Sequence, residues 1–173
     1  GLDVIHRSQA LAIAAGERDF VAVAGAHGKT TTSAMLAVAL HHSGMNPSFA
    51  VGGTVVGYGS GAHLGTGTVL VAEADESDRS FLNYSPRVAI VTNVEPDHLD
   101  FYGTEQAFYD AFADFARRIV PGGLLVACAD DPGAVAVMET ARERGVRVLG
   151  FGHSSPELTV EDEAFVLGGR RYP

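Results

Sequence analysis

The chain has 173 residues, is 46% hydrophobic and 19% charged, and carries a formal net charge of −9. That composition excludes a disordered chain. The acidic balance argues against a nucleic-acid groove or an anionic membrane surface, since both need a basic face. The length favours a single domain. The lone cysteine, Cys128, leaves no internal disulfide to form and fits a reducing compartment. No apolar stretch reaches the roughly 18 residues of a spanning helix, and residues 1–19 do not read as a signal segment. A cytoplasmic protein is expected, with neither nucleic acid nor membrane as a partner.

In chain order, "VIHRSQALAIAAGE" has helical composition with Gly16 as its C-cap. "DFVAVAG" is a short apolar strand ending in glycine, and "KTTTSAMLAVALHHSG" is a helix closed by Gly44. "NPSFAVGG" reads as a strand. Residues 52–67, with seven glycines and no periodicity, read as a mobile loop. "TVLVAEAD" and "RVAIVTNV" are strands whose apolar runs end in polar or acidic residues. "TEQAFYDAFADFARRI" is an amphipathic helix with Thr104 as N-cap. "GGLLVACADD" is a strand, "PGAVAVMETARERG" a helix opened by Pro132, and "VRVLGFG" a strand. The tail from Glu157 reads as two short strands around an acidic turn. Apolar strands alternating with helices predict an α/β fold: a mostly parallel sheet with helices on both faces, of P-loop type, plus a short C-terminal β appendage.

In such sheets ligands bind beyond the carboxyl ends of the strands, and "GAHGKTT" lies there. Gly25, Ala26, His27, Gly28, Lys29, Thr30 and Thr31 form a glycine turn leading into a helix. Its backbone N–H groups and the helix dipole suit an anion. Lys29, the sole lysine of the chain, can reach the outer phosphates of a nucleotide, and the Thr30 hydroxyl can hold Mg²⁺. The standard eight-residue loop has glycine where this chain has Val23, so the turn is a shorter variant.

Two acidic clusters follow at consecutive strand ends. "VLVAEADESD" supplies Glu73, Asp75, Glu76 and Asp78; "IVTNVEPDHLD" supplies Asn93, Glu95, Asp97, His98 and Asp100. Singly, each acid is an ordinary loop carboxylate. Together, beside a phosphate loop, they fit a two-metal arrangement. His98 reads as a metal ligand or as a satisfied loop histidine, and His27 as acting only through its backbone. His6, His41, His42, His63 and His153 read as ordinary surface or helix-end histidines.

"GAHGKTTT", "EADESDRSFL" and "TNVEPDHLDFYG", in this order and spacing, resemble the central ATP-binding domain of the Mur ligases over residues 19 to 152. The resemblance implies that ATP and Mg²⁺ are bound. It also implies that the carboxylate of UDP-N-acetylmuramate is phosphorylated and that an amine attacks the resulting acyl phosphate, in peptidoglycan precursor synthesis. By position, Lys29, Glu73 and His98 carry the chemistry; Thr30 and Glu73 are ligands of a first Mg²⁺ and His98 of a second. Asn93 and Asp97 are weaker candidates for substrate contact. Ser77 favours the member that adds L-alanine over the murein-peptide ligase, which usually carries tyrosine there. Ala26 departs from the usual threonine of the loop, and the absence of a second lysine removes the carbamylated lysine of several relatives. The resemblance further implies that residues 1–18 are a helical lead-in from an N-terminal UDP-binding domain. Residues 19–173 are then a central domain cut short, expected not to turn over alone. The alternatives are the murein-peptide ligase, cyanophycin or folylpolyglutamate synthetase, a P-loop kinase or NTPase, and a nucleotide-sensing module without chemistry.

Overall fold

The computed structural model describes residues 3–161, 164–167 and 169–172. The chain opens with helix α1 (Arg7–Ala15), capped by the His6 ring at its start and by Gly16, φ +52°, at its end. Strand β1 (Asp19–Ala24) and helix α2 (Lys29–His42) follow, then strands β2 (Ser48–Val55), β3 (Ser60–His63) and β4 (Val69–Glu73). A 3₁₀ turn (Ser80–Asn83) precedes β5 (Val88–Val91), the short helix α3 (Leu99–Tyr102) and α4 (Glu105–Arg117). The chain continues through β6 (Leu124–Cys128), α5 (Pro132–Glu143), β7 (Arg147–Phe151), β8 (Leu158–Glu161), β9 (Ala164–Leu167) and β10 (Arg170–Tyr172).

All described strands join one sheet in the order β10-β9-β8-β7-β6-β5-β1-β4-β2-β3. The run from β2 to β8 is parallel, and antiparallel pairs close both edges. Side chains of β1 alternate between two cores, as the two-residue period of a strand dictates. Phe20, Ala22 and Ala24 face one, with Phe108, Phe112 and Phe115 of α4 and Val137 and Met138 of α5. Val21 and Val23 face the other, with Ala37 of α2 and Phe49. A strand buried on both faces must be apolar throughout, which is why "FVAVA" shows no alternation. The Thr104 cap is present, its hydroxyl accepting the Ala107 N–H at 3.1 Å, and Asp131 caps α5 ahead of Pro132.

Three expectations change. Residues 52–67 are not simply loop: β2 runs on to Val55, and β3 pairs back on it antiparallel with a register shift. The Tyr58 ring anchors this hairpin, packing against Phe49, His41 and His63 at centroid distances of 4.8, 5.5 and 4.7 Å. The tail holds a further strand, β10, beyond the two expected, and the acids Asp162 and Glu163 of the expected turn lie outside the described residues. Helix α2 is capped by Ser43, with Gly44 at φ +78° just beyond it. Among the described residues no helix is long and apolar enough to cross a membrane.

Candidate functional site

The carboxyl end of β1 lies between β4 and β5, and the chain leaves it in two directions. Helix α2 carries it past β4 to β2, whereas β5, β6 and β7 extend the sheet the other way. This reversal opens a crevice above the strand ends, the usual ligand position in open α/β sheets. The glycine turn fills it. Gly25 has φ +138°, and a Cβ there would meet the Thr92 hydroxyl at 2.0 Å. Gly28, φ +82°, starts α2 with no side-chain cap, so the first-turn N–H groups of Lys29, Thr30 and Thr31 have no cap from the chain.

The turn is held from the β5 side. The Thr92 hydroxyl donates to His27 O at 2.7 Å, Asn93 Oδ1 accepts the His27 N–H at 2.9 Å, and Asn93 Nδ2 donates to His27 O at 3.2 Å. The Ala26 N–H donates to Asn93 O at 3.3 Å. The backbone of His27, expected to serve an anion, is therefore engaged by the protein, and Asn93, read as a substrate candidate, clamps the loop. The His27 ring points outward, 3.9 Å from Glu95.

The Lys29 ammonium donates to Gly25 O at 2.7 Å and to Glu76 Oε1 at 2.8 Å. Glu76 is 1% exposed, and its Oε2 has no hydrogen-bond partner. Glu73, at the end of β4, accepts the Gly52 N–H at 2.6 Å. Two adjacent glycines make room here: a Cβ on Gly52 would lie 3.3 Å from Glu73 Oε2, and one on Gly53 would lie 2.9 Å from Thr30 Cγ2. The β2 backbone thus packs directly on both side chains, and Lys29, Thr30 and Glu73 gather on one side of the turn.

A cleft of about 620 Å³ adjoins them, lined among others by Arg7, Lys29, Gly52, Glu73, Asp75 and Tyr84. Two of these lining residues, Arg7 of α1 and Asp75, form an ion pair at 2.5 Å. Burial raises the Tyr84 hydroxyl above its usual pKa; burial also lifts that of Tyr102 to about 12, so both stay protonated donors. The Tyr102 O–H donates to the Glu76 carbonyl.

His98 follows β5 at the same rim, in the left-handed region at φ +53° as N-cap of α3. Its N–H donates to Asp97 Oδ1 at 2.7 Å, and its ring lies 3.8 Å from Asp97 Oδ2. His98, Asp97 and Asn93 are not among the residues lining the cleft. Sequence reasoning placed Glu76 only in an acidic cluster suited to metals, whereas it pairs with Lys29, and gave no role to Arg7 or Tyr102. The stretch "EADESD" shows that acids are present but not which one turns inward.

Among the described residues no three His, Cys, Asp or Glu side chains form a group able to hold a metal. A hydroxyl and a carboxylate beside an uncapped glycine turn are still a hard-oxygen donor pair, suited to an ion that takes one or two protein ligands and completes its shell with other oxygens. Thr30 and Glu73 provide that pair.

The Mur ligase middle domain family matches residues 23–167. The UDP-N-acetylmuramate–L-alanine ligase of Renibacterium salmoninarum is 58% identical over 155 residues, covering 90% of this chain and 33% of that protein. The ligase of the same name from Saccharopolyspora erythraea is 51% identical over 170 residues, covering 98% of this chain and 34% of its own length. The chain thus spans about a third of the relatives it matches. Among solved structures, the Neisseria UDP-N-acetylmuramate:L-alanyl-γ-D-glutamyl-meso-diaminopimelate ligase superposes with a TM-score of 0.81 at 26% identity, over 95% of this chain and 57% of that one. The UDP-N-acetylmuramate–alanine ligase of Thermotoga maritima gives 0.75 at 28% identity, over 95% of this chain and 38% of that one. With a glycine turn, a lone lysine and a strand-end glutamate arranged as described, and a family match over most of its length, this chain belongs to the Mur ligases through their middle domain.

Proposed function

We propose that this chain is the ATP-binding part of a cytoplasmic, Mg²⁺-dependent ligase that joins L-alanine to UDP-N-acetylmuramate. A muramoyl carboxylate oxygen attacks the γ-phosphorus of ATP; the bond to the β–γ bridging oxygen breaks and ADP leaves with that electron pair. The alanine amine then attacks the acyl carbon. The C–N bond forms, the C–O bond to phosphate breaks, inorganic phosphate departs and the nitrogen loses its extra proton to solvent.

The observation that carries this reading is the grouping of Lys29, Thr30 and Glu73 at the uncapped start of α2. Phosphoryl transfer between anions needs positioning and charge neutralisation more than covalent help. Lys29 and the first-turn N–H groups supply fixed positive charge to the phosphates. Thr30 and Glu73 would hold Mg²⁺, which contributes neutralisation of the phosphate oxygens. In this reading the 620 Å³ cleft beside Lys29 receives the acyl-donor end of the nucleotide sugar, and His98 stands at the rim as a candidate ligand of a second metal. Residues 1–18 serve as lead-in from a UDP-binding domain, and the acceptor pocket lies partly on further segments of the enzyme. The identity above 50% to alanine-adding ligases supports the choice of amino acid over the murein-peptide ligase.

Calorimetric titration of the chain with Mg-ATP, and of Lys29→Ala in parallel, tests the nucleotide site. Binding by the parent chain and none by the variant is expected; equal binding by both refutes the role of the lysine. The full-length enzyme, assayed for phosphate release with UDP-N-acetylmuramate and a panel of amino acids, should respond to L-alanine.

A further inference from the structure

Glu76 is the only acidic side chain among the described residues to be fully buried, and it is spent on the lysine of the phosphate loop. Its backbone is fixed from two sides. The Glu76 carbonyl accepts the Tyr102 O–H from α3 and the Arg79 N–H at 3.2 Å. The Arg79 guanidinium lies 5.4 Å from the Tyr102 ring centroid and donates to Ala107 O of α4 at 3.3 Å. The carboxylate therefore stands on a packed support rather than on a free loop.

The ammonium it meets has three donors. One goes to Gly25 O at 2.7 Å and one to Glu76 Oε1 at 2.8 Å, which leaves one. A carboxylate cut off from water does not release its sole counter-charge cheaply. Glu76 also keeps a second oxygen, Oε2, buried and without a partner.

Resting on the nucleotide-binding reading above, we propose that Glu76 is a positioning residue for Lys29. It tethers the ammonium at the mouth of the turn while Gly25 O sets its direction, so that the remaining N–H is aimed at an incoming phosphate. Oε2 is the spare acceptor that lets the lysine pivot toward the phosphate without leaving the acid unpaired. Lys29 thus works from a fixed pivot instead of sweeping its whole rotamer range.

Since Lys29 is the one lysine of the chain, ¹⁵N-lysine labelling gives a single side-chain ammonium signal, read alongside Mg-ATP titrations of the parent chain and Glu76→Gln. The parent should show an ammonium signal protected from solvent exchange. In Glu76→Gln that protection should vanish, and the dissociation constant for Mg-ATP should rise about ten-fold. Should the glutamine variant fail to fold, Glu76→Asp, which withdraws the carboxylate by one methylene, is read in the same way. Parent binding with unchanged affinity in the folded variant overturns the inference and leaves the nucleotide site standing. Weakened binding with an unchanged lysine signal also overturns it, because Glu76 would then act by another route. No binding by the parent removes the nucleotide reading and this inference with it.

Discussion

Lys29 and Glu76 are unequal partners, and the inequality has a measurable consequence. The lysine side chain is 19% exposed and the glutamate side chain 2%. Without its partner the ammonium can still turn toward water; the carboxylate cannot. Breaking a buried pair from the side that strands a charge costs roughly 3–5 kcal/mol. Lys29→Ala should therefore destabilise the fold by about that much as well as abolish nucleotide binding, while Glu76→Gln should cost clearly less. The double variant should recover much of the loss, because no buried charge remains. Urea midpoints of the four proteins close the cycle; equal stability of Lys29→Ala and the parent would refute it. At this scale the lysine was legible from its place in "GAHGKTT" and its partner was not. "EADESD" offers four acids, and only the 3₁₀ turn at Ser80–Asn83, with the Tyr102 and Arg79 bonds, decides that Glu76 turns inward.

Elements announced by caps and by period were readable in advance. Thr104 before an amphipathic run, Pro132 behind an aspartate and Gly16 after an alanine-rich stretch each mark a helix end by a local rule that tertiary packing did not override. The β3 hairpin had no such mark, because its glycines serve close approach and not turning alone. A Cβ on Gly61 would lie 2.6 and 2.7 Å from the carbonyl oxygens of Gly53 and Val51. Asp130 provides a test of how elements are joined. Its carboxylate accepts the backbone N–H groups of His153 at 2.8 Å and Ser154 at 2.7 Å, tying the end of β6 to the turn after β7. Hydrogen bonds from Ser154 and His153 lower its pKa below the usual aspartate value. A group depressed in the folded state stabilises fully above its unfolded pKa, ~3.9, and loses that contribution as pH falls through the folded value. Asp130→Asn should thus be less stable than the parent near neutral pH, with the gap closing below pH ~4. Urea unfolding across that range checks it, and a gap independent of pH would mean that the charge is not what holds the turn.

For the molecule as a whole, the covered parallel sheet was readable because strands buried on both faces have to be continuously apolar. The order of the strands was not: nothing in "VLVAE" or "VAIV" tells that β4 and β5 flank β1, since any apolar strand pairs with any other. That order is what turns three separated stretches of sequence into one crevice. It also makes the proposed nucleotide pocket share a wall with the ribbon at the β3 edge of the sheet, where Gly52 and Gly53 rest on Glu73 and Thr30. Stiffness should therefore pass from ligand to rim. Amides of Ala62 and His63, which belong to the strand paired with Ala50 and Phe49, should exchange with deuterium more slowly once Mg-ATP is bound; unchanged exchange there, with slowing confined to α2, would sever the link. The same mechanics runs backwards. A substitution that splays the ribbon at Gly61, which lines the same cleft as Lys29 and Glu73, should act as a dimmer on the nucleotide, and the least regular stretch of the sequence then becomes a place where affinity is tuned.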